Sequence, residues 1–170
     1  MSIREALLKE HSKAQTNRIV NYIGDDEKKF AELMDLFFND EYRVVQRSAW
    51  SVSNCAEAHP QLIMPYLKKM IELLGEDVHN AVKRNIVRVL QFIDIPKKHY
   101  GKAAQACFDL LLSKDEPVAV KVFAMTVIAN ISKHEPDLKN ELRIIINDQL
   151  PYSSAGFKSR AKKILMAIQN

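Results

Sequence analysis

Apolar residues recur along this chain with a helical period, and no stretch shows the strict alternation of a half-buried strand. Setting helices on Val45, Val82, Val120 and Phe157 places the same pattern at intervals of 37, 38 and 37 residues. In that register Ala49, Ile86, Ala124 and Ala161 coincide, as do Ala56, Ile93, Ile131 and Ile168. Ahead of each of these helices lies another apolar-periodic segment, at 28–38, 62–74, 99–112 and 137–150. An opening helix precedes them all, with Ser2 and Glu5 spaced as a capping box and Gly24 at its end. The pattern predicts nine helices and no sheet. They form one all-α domain over 1–170, with a cap at 1–24 and hairpins at 27–58, 61–94, 98–133 and 136–169. A lone hairpin cannot bury its apolar face, so neighbouring hairpins must stack.

The recurring stretch Asp115-Glu116-Pro117-Val118-Ala119-Val120-Lys121, followed by Ala124, resembles the HEAT repeat. In that repeat an acid in the turn precedes a Val-Lys/Arg pair on the second helix. Asp77 with Val82 and Lys83 repeats the arrangement, and Asp40 with Val45 and Gln46 nearly does. The resemblance spans about residues 27–169 and implies a right-handed α-α superhelix, a HEAT- or armadillo-like solenoid. It also implies a structural use for the column Lys83, Lys121 and Lys158, which would tie turn acids to the next repeat.

The only tryptophan, Trp50, lies in the second helix of the first hairpin. At about 100° per residue, Val45, Ala49, Val52 and Ala56 share one stripe and Trp50 points about 140° away from Val45. Arg43, Asn54 and Arg47 lie about 160°, 180° and 200° from it. In a stack of this kind the second helices line the concave face, so Trp50 is expected there between two arginines and an amide. Its equivalents are Val87, Met125 and Lys162. Arg84 lies beside the row on one side, and Gln91 on the other. Two placements stay open: an accessible groove, or a row closed off between neighbouring second helices.

The stretch Trp50-Ser51-Val52-Ser53-Asn54 also resembles the W-x-x-S-N signature of armadillo repeats in the importin-alpha family. That resemblance implies Trp50 as an apolar wall and Asn54 as a clamp on a peptide backbone. An amide offers the donor and the acceptor that a peptide group needs. The motif occurs once, and Arg43 and Arg47 beside it favour an acidic or phosphorylated segment over a basic one.

Charge narrows the partner further. The chain carries 25 Lys or Arg against 21 Asp or Glu, yet residues 1–148 are balanced. The excess is Lys158, Arg160, Lys162 and Lys163, in a segment from 149 onward that has no acid. These four are candidate contacts for a nucleic-acid backbone. The size and layout are also similar to HEAT-like DNA glycosylases of alkylation repair. Asn54 occupies the position where those would want a carboxylate, and an amide cannot stabilise a developing sugar cation as a carboxylate does. The runner-up is therefore a nucleic-acid binder without glycosylase activity.

Other classes find little footing. No P-loop, G-x-S-x-G, G-x-G-x-x-G or H-E-x-x-H occurs. The five histidines are scattered, and Cys55 and Cys107 read as buried free thiols, so neither metal nor cofactor is expected. With no leader-like or membrane-length apolar run, a cytoplasmic, non-catalytic module binding a protein or peptide is the expectation, with the oligomeric state left open.

Overall fold

A computed structural model of the protein describes residues 1–169. Those residues form ten α-helices joined by short turns and 3-10 segments, with no strand among them. They divide into two compact units, Met1–Met70 and Ile71–Asn170.

The first unit opens with α1 (Ile3–Lys9) and α2 (Lys13–Ile23), where the sequence pattern predicts a single cap helix. The break is local chemistry. Ser2 caps α1 by accepting from the Glu5 amide, Glu10 turns extended (φ −156°, ψ 141°), and Ser12 starts a new helix by accepting from the Gln15 amide at 3.1 Å. The buried Gln15 amide then donates to the Ala6 carbonyl at 2.7 Å, folding α2 back onto α1. Gly24 ends α2 at φ 54°, a left-handed backbone that a side chain would strain. The polar run Glu10-His11-Ser12 supplies no apolar residue to continue the stripe, so capping wins.

α3 (Glu27–Asn39) and α4 (Tyr42–Ala58) form the first hairpin. Phe30, Leu33, Met34 and Phe37 recur at helical spacing on α3 and are all buried. Arg4 grips the turn before α4, its Nε 2.8 Å from Asp40 Oδ2. That bond, and then the Glu41 backbone amide, hold the Asp40 carboxyl below the usual carboxylate range. The expected helix at 62–74 is shorter than its pattern. Pro60 and Pro65 confine its start to 3-10 turns at Pro60–Leu62 and Met64–Tyr66, and α5 (Leu67–Leu73) follows across the unit boundary.

The second unit contains α6 (Asn80–Phe92), α7 (Tyr100–Leu112), α8 (Val118–Ile131), α9 (Leu138–Gln149) and α10 (Ala155–Ala167). α8 is its hub, packed against α6, α7, α9 and α10. Burial bears out the recurrent register in both units. Ala49, Ile86, Ala124 and Ala161 are fully buried, and Ala56, Ile93, Ile131 and Ile168 are at most 8% exposed. One anchor is displaced: in α4 Val44 is buried and Val45 only half so, because the inward face is centred one residue earlier.

The lysine column divides. Lys83 Nζ sits 3.0 Å from Glu116 Oε1, and both side chains are largely buried, so this lysine does tie the turn before α8. Lys121 has no such ion pair among the described residues, since the turn before α10 offers Ser153 and Ser154 instead of an acid. Lys158 is exposed.

The Lys83–Glu116 pair gives a direct test. Glu116 Oε2 is buried without another partner, so Lys83→Ala strands a carboxylate. Urea melts should show a loss of about 2 kcal/mol for Lys83→Ala, largely recovered in Lys83→Ala/Glu116→Ala. Lys121→Ala should cost less than about 0.5 kcal/mol.

Candidate functional site

On α4 the positions singled out by the sequence separate into structural and available groups. Arg47 is structural. Its Nη1 donates to the Leu7 and Leu8 carbonyls, both at 2.9 Å, and so closes the open C-terminal end of α1. This contact commits Nη1 of the half-buried Arg47 inside the first unit, a role that its expected place on a partner-binding face did not include. Trp50 is half-buried, and its ring meets His11 edge-on, with centroids 5.9 Å apart and planes at 67°. His11 lies in the joint between α1 and α2, so the joint covers part of the indole.

Arg43 and Asn54 are different. Arg43 is exposed and, among the described residues, has no ion pair; the half-buried Asn54 amide has no hydrogen-bond partner there. Arg43, Trp50 and Asn54 remain available on α4. They fall at i, i+7 and i+11, which keeps them on one side of a helix.

In the second unit the centre of the apolar row is closed off, the second of the two placements the sequence left open. Val87 and Met125 are both 0% exposed, so neither meets a partner. A wheel drawn for one helix locates residues only relative to that helix. α8 is covered by α6, α7 and α10 together, which buries side chains well away from the predicted stripe. Gln91 and Arg160, too, turn inward to one another. Arg160 Nη1 donates to Thr126 Oγ1 at 2.8 Å and to Gln91 Oε1 at 3.3 Å, with the guanidinium 5.9 Å from the Phe123 ring. The Gln91 carbonyl accepts from the Asn130 side chain at 3.2 Å. Arg160 is therefore a strut between α6, α8 and α10, and not a free phosphate contact.

What this packing leaves outward is cationic. Arg84 on α6 and Lys158, Lys162 and Lys163 on α10 are exposed and unpaired among the described residues. Lys158 and Lys162 are one turn apart, and Met166 follows Lys162 by one more turn. Met166 is 63% exposed and Tyr152, just before α10, is 92% exposed. The sequence register puts Met166 in the column of Asn54, Gln91 and Ala129 beside the expected binding row, and its i+4 spacing from Lys162 sets it next to the lysines.

The thiols offer no nucleophile. Cys55 and Cys107 are buried, and loss of solvent pushes both up to about 12. Among the described residues no group of three or more His, Cys, Asp or Glu is arranged to hold a metal ion. None of the helices there is long and apolar enough to cross a membrane.

With this geometry in place, comparison with known proteins adds the following. A family profile described as a HEAT repeat domain matches residues 3–168. A crystal structure titled as that of an engineered protein superposes with a TM-score of 0.64 at 16% identity, covering 96% of this chain and 78% of the other. At that identity the likeness is one of fold. No curated protein matches the sequence.

Two measurements check these assignments. Arg47→Ala should cost about 1–3 kcal/mol in denaturant melts by exposing helix-end carbonyls, whereas Arg43→Ala should stay within about 0.5 kcal/mol. Neither cysteine should react with a maleimide at neutral pH unless the protein is unfolded. Because their folded-state values lie above the ordinary 9.0, their contribution to stability is intact below pH 9 and is lost as pH rises from there toward 12.

Proposed function

Since this chain belongs to the HEAT repeat family, we propose that it is a non-catalytic interaction module for an extended acidic or phosphorylated protein segment. The observation that carries this reading is the outer face of α10. Lys158, Lys162 and Lys163 stand exposed with no counter-ion among the described residues, and Met166 shares their face. Unpaired ammonium groups attract carboxylates or phosphates, and an exposed thioether beside them adds apolar contact. A segment alternating acids with apolar residues satisfies both. Arg84 on α6 adds a further exposed cation in the same unit.

In the first unit, Arg43, Trp50 and Asn54 give α4 the same mixture on a smaller scale. A half-buried amide with no internal partner suits a peptide backbone, because leaving it unpaired costs more than filling it. The two surfaces are proposed as separate contacts, each sufficient for a short stretch of chain. The protein is placed in the cytoplasm by the same reading, where acidic and phosphorylated segments and reduced thiols coexist.

The second reading, a nucleic-acid backbone, rests on the same lysines and on the absence of any acid from 149 onward. The exposed Met166 and Tyr152 favour the peptide, since a phosphate backbone makes no use of an apolar side chain.

The deciding experiment compares labelled ligands by fluorescence anisotropy. The ligands are a Glu/Leu peptide, the same peptide with phosphoserine, a Lys/Leu control and a duplex oligonucleotide. The acidic peptides should bind, and Lys158→Gln/Lys162→Gln/Lys163→Gln should weaken them at least tenfold. Tighter oligonucleotide binding, with a log–log salt slope that falls by about 2–3 in the triple variant, would transfer the site to nucleic acid. Acidic peptides unaffected by the triple variant would overturn the α10 assignment.

A further inference from the structure

The lysine face of α10 is not the only shaped surface in the second unit. A cavity of about 530 Å³ opens between the length of α7 and the first turn of α9, with the end of α8 at its floor. Its size falls within the range of ligand sites. The apolar lining comes from Ala104, Phe108, Leu112, Ile131 and Leu138, and Leu112 is 55% exposed.

Sequence explains the hollow. Gly101, Ala104 and Phe108 follow one another along one face of α7, so the wall is shallow where the side chains are smallest. A Cβ added at Gly101 would meet nothing within 4 Å. At one edge the Tyr100 ring stacks on His134, with centroids 5.6 Å apart and planes at 21°, which fixes that wall. At the far end Gln149 Nε2 donates to the Leu111 carbonyl at 2.9 Å, tying the C-terminal ends of α9 and α7 together.

Charge around the trough has one dominant sign. Asp109, Glu135, Asp137 and Glu141 line it against a single lysine, Lys97. All four acids are exposed and none is in an ion pair among the described residues. Asp109 accepts only from the neighbouring Gln105 amide at 3.0 Å. The trough follows α7, whose 13 residues span about 20 Å at 1.5 Å per residue. An apolar floor of that length with acidic borders complements a helix carrying apolar residues on one face and Lys or Arg on the flanks.

We propose that this trough is a docking groove for a cationic amphipathic helix of a partner protein, a second site opposite in charge preference to the α10 face. Leu112 and Leu138, the apolar lining residues with open surface, receive the apolar stripe above a floor closed by Phe108 and Ile131. Asp109, Glu135 and Glu141 meet the flanking cations, and the shallow wall at Gly101 and Ala104 lets the incoming helix approach closely.

The test uses a fluorescein-labelled peptide with Leu at i, i+3, i+4 and i+7 over about three turns and Lys between them. Its twin with Glu in place of Lys is the control, and both are titrated against the intact protein and against its Lys158→Gln/Lys162→Gln/Lys163→Gln variant, which removes the acid-binding face of α10. The Lys peptide should bind and the Glu peptide should bind at least tenfold more weakly at this site. Gly101→Phe, which fills open space, should reduce Lys-peptide binding at least tenfold with an unchanged helical spectrum. Should Gly101→Phe perturb the fold, the surface variant Glu135→Gln/Glu141→Gln supplies the answer, with a similar loss and a flatter salt dependence. Binding of the Lys peptide that neither variant changes overturns the proposal. So does concentration-dependent dimerisation of the protein alone that Glu135→Gln/Glu141→Gln abolishes, since the occupant would then be a second copy. Lys158→Gln/Lys162→Gln/Lys163→Gln should leave Lys-peptide affinity within twofold, which separates this site from the one on α10.

Discussion

The second unit depends on covering α8. Fourteen residues of this helix, Val118–Ile131, include a single charged side chain, Lys121, so most of its circumference is apolar. No single neighbour can bury such a helix. α7 takes one side as hairpin partner, α6 and α10 take the others, and α9 covers the remaining end. The consequences extend beyond α8 itself. Val87 and Met125 are drawn out of contact with solvent, and the polar groups near the seams must find partners inside. Arg160 answers that requirement by bridging to Thr126 and Gln91, while Asn130 bonds the Gln91 carbonyl. Once these seams are closed, the polar groups left for binding are those facing away from α8.

The first unit solves a related problem at helix ends. α1 is only seven residues long, so its unsatisfied carbonyls are a large fraction of its backbone. Arg47 reaches two of them from α4, and Gln15 reaches a third from α2. The planar guanidinium suits this task because one nitrogen can serve two acceptors and the charge opposes the negative end of the helix. An arginine used in this way is indistinguishable in sequence from one waiting for a ligand. Arg43, one turn earlier on the same helix, is the one left exposed.

The contrast between Arg43 and Arg47 marks the limit of what sequence spacing conveys here. Hairpin order, helix type and the repeated small or aliphatic residues at Ala49, Ile86, Ala124 and Ala161 were legible, because each depends on periodicity within one helix. The split of the opening helix at Glu10-His11-Ser12 was present as a capping signal but lay inside a run that otherwise continued the helical pattern. Pro60 and Pro65 likewise announced irregular backbone before α5. For Val87 and Met125 the sequence left a groove and a closed row both open, and the inward turn of the half-buried Arg160 was not legible, since its partners lie some 35 to 70 positions away in the chain. Trp50 sits between these cases. Its direction away from the core stripe followed from the helix period, but its contact with His11 depended on the unpredicted joint.

Net charge is a similarly incomplete guide. Residues 71–170 carry 15 Lys or Arg and 11 Asp or Glu, an excess that by itself describes a mildly basic surface. The structure separates those charges by element: lysines crowd the outward face of α10, while acids border the trough between α7 and α9. At physiological ionic strength a surface charge acts over about 8 Å, so a ligand responds to the element it touches rather than to the total. Opposite signs on different helices of one unit therefore do not cancel. Each face retains its own preference because α8, standing among all these helices, is apolar enough to hold them in place without spending their outward charges.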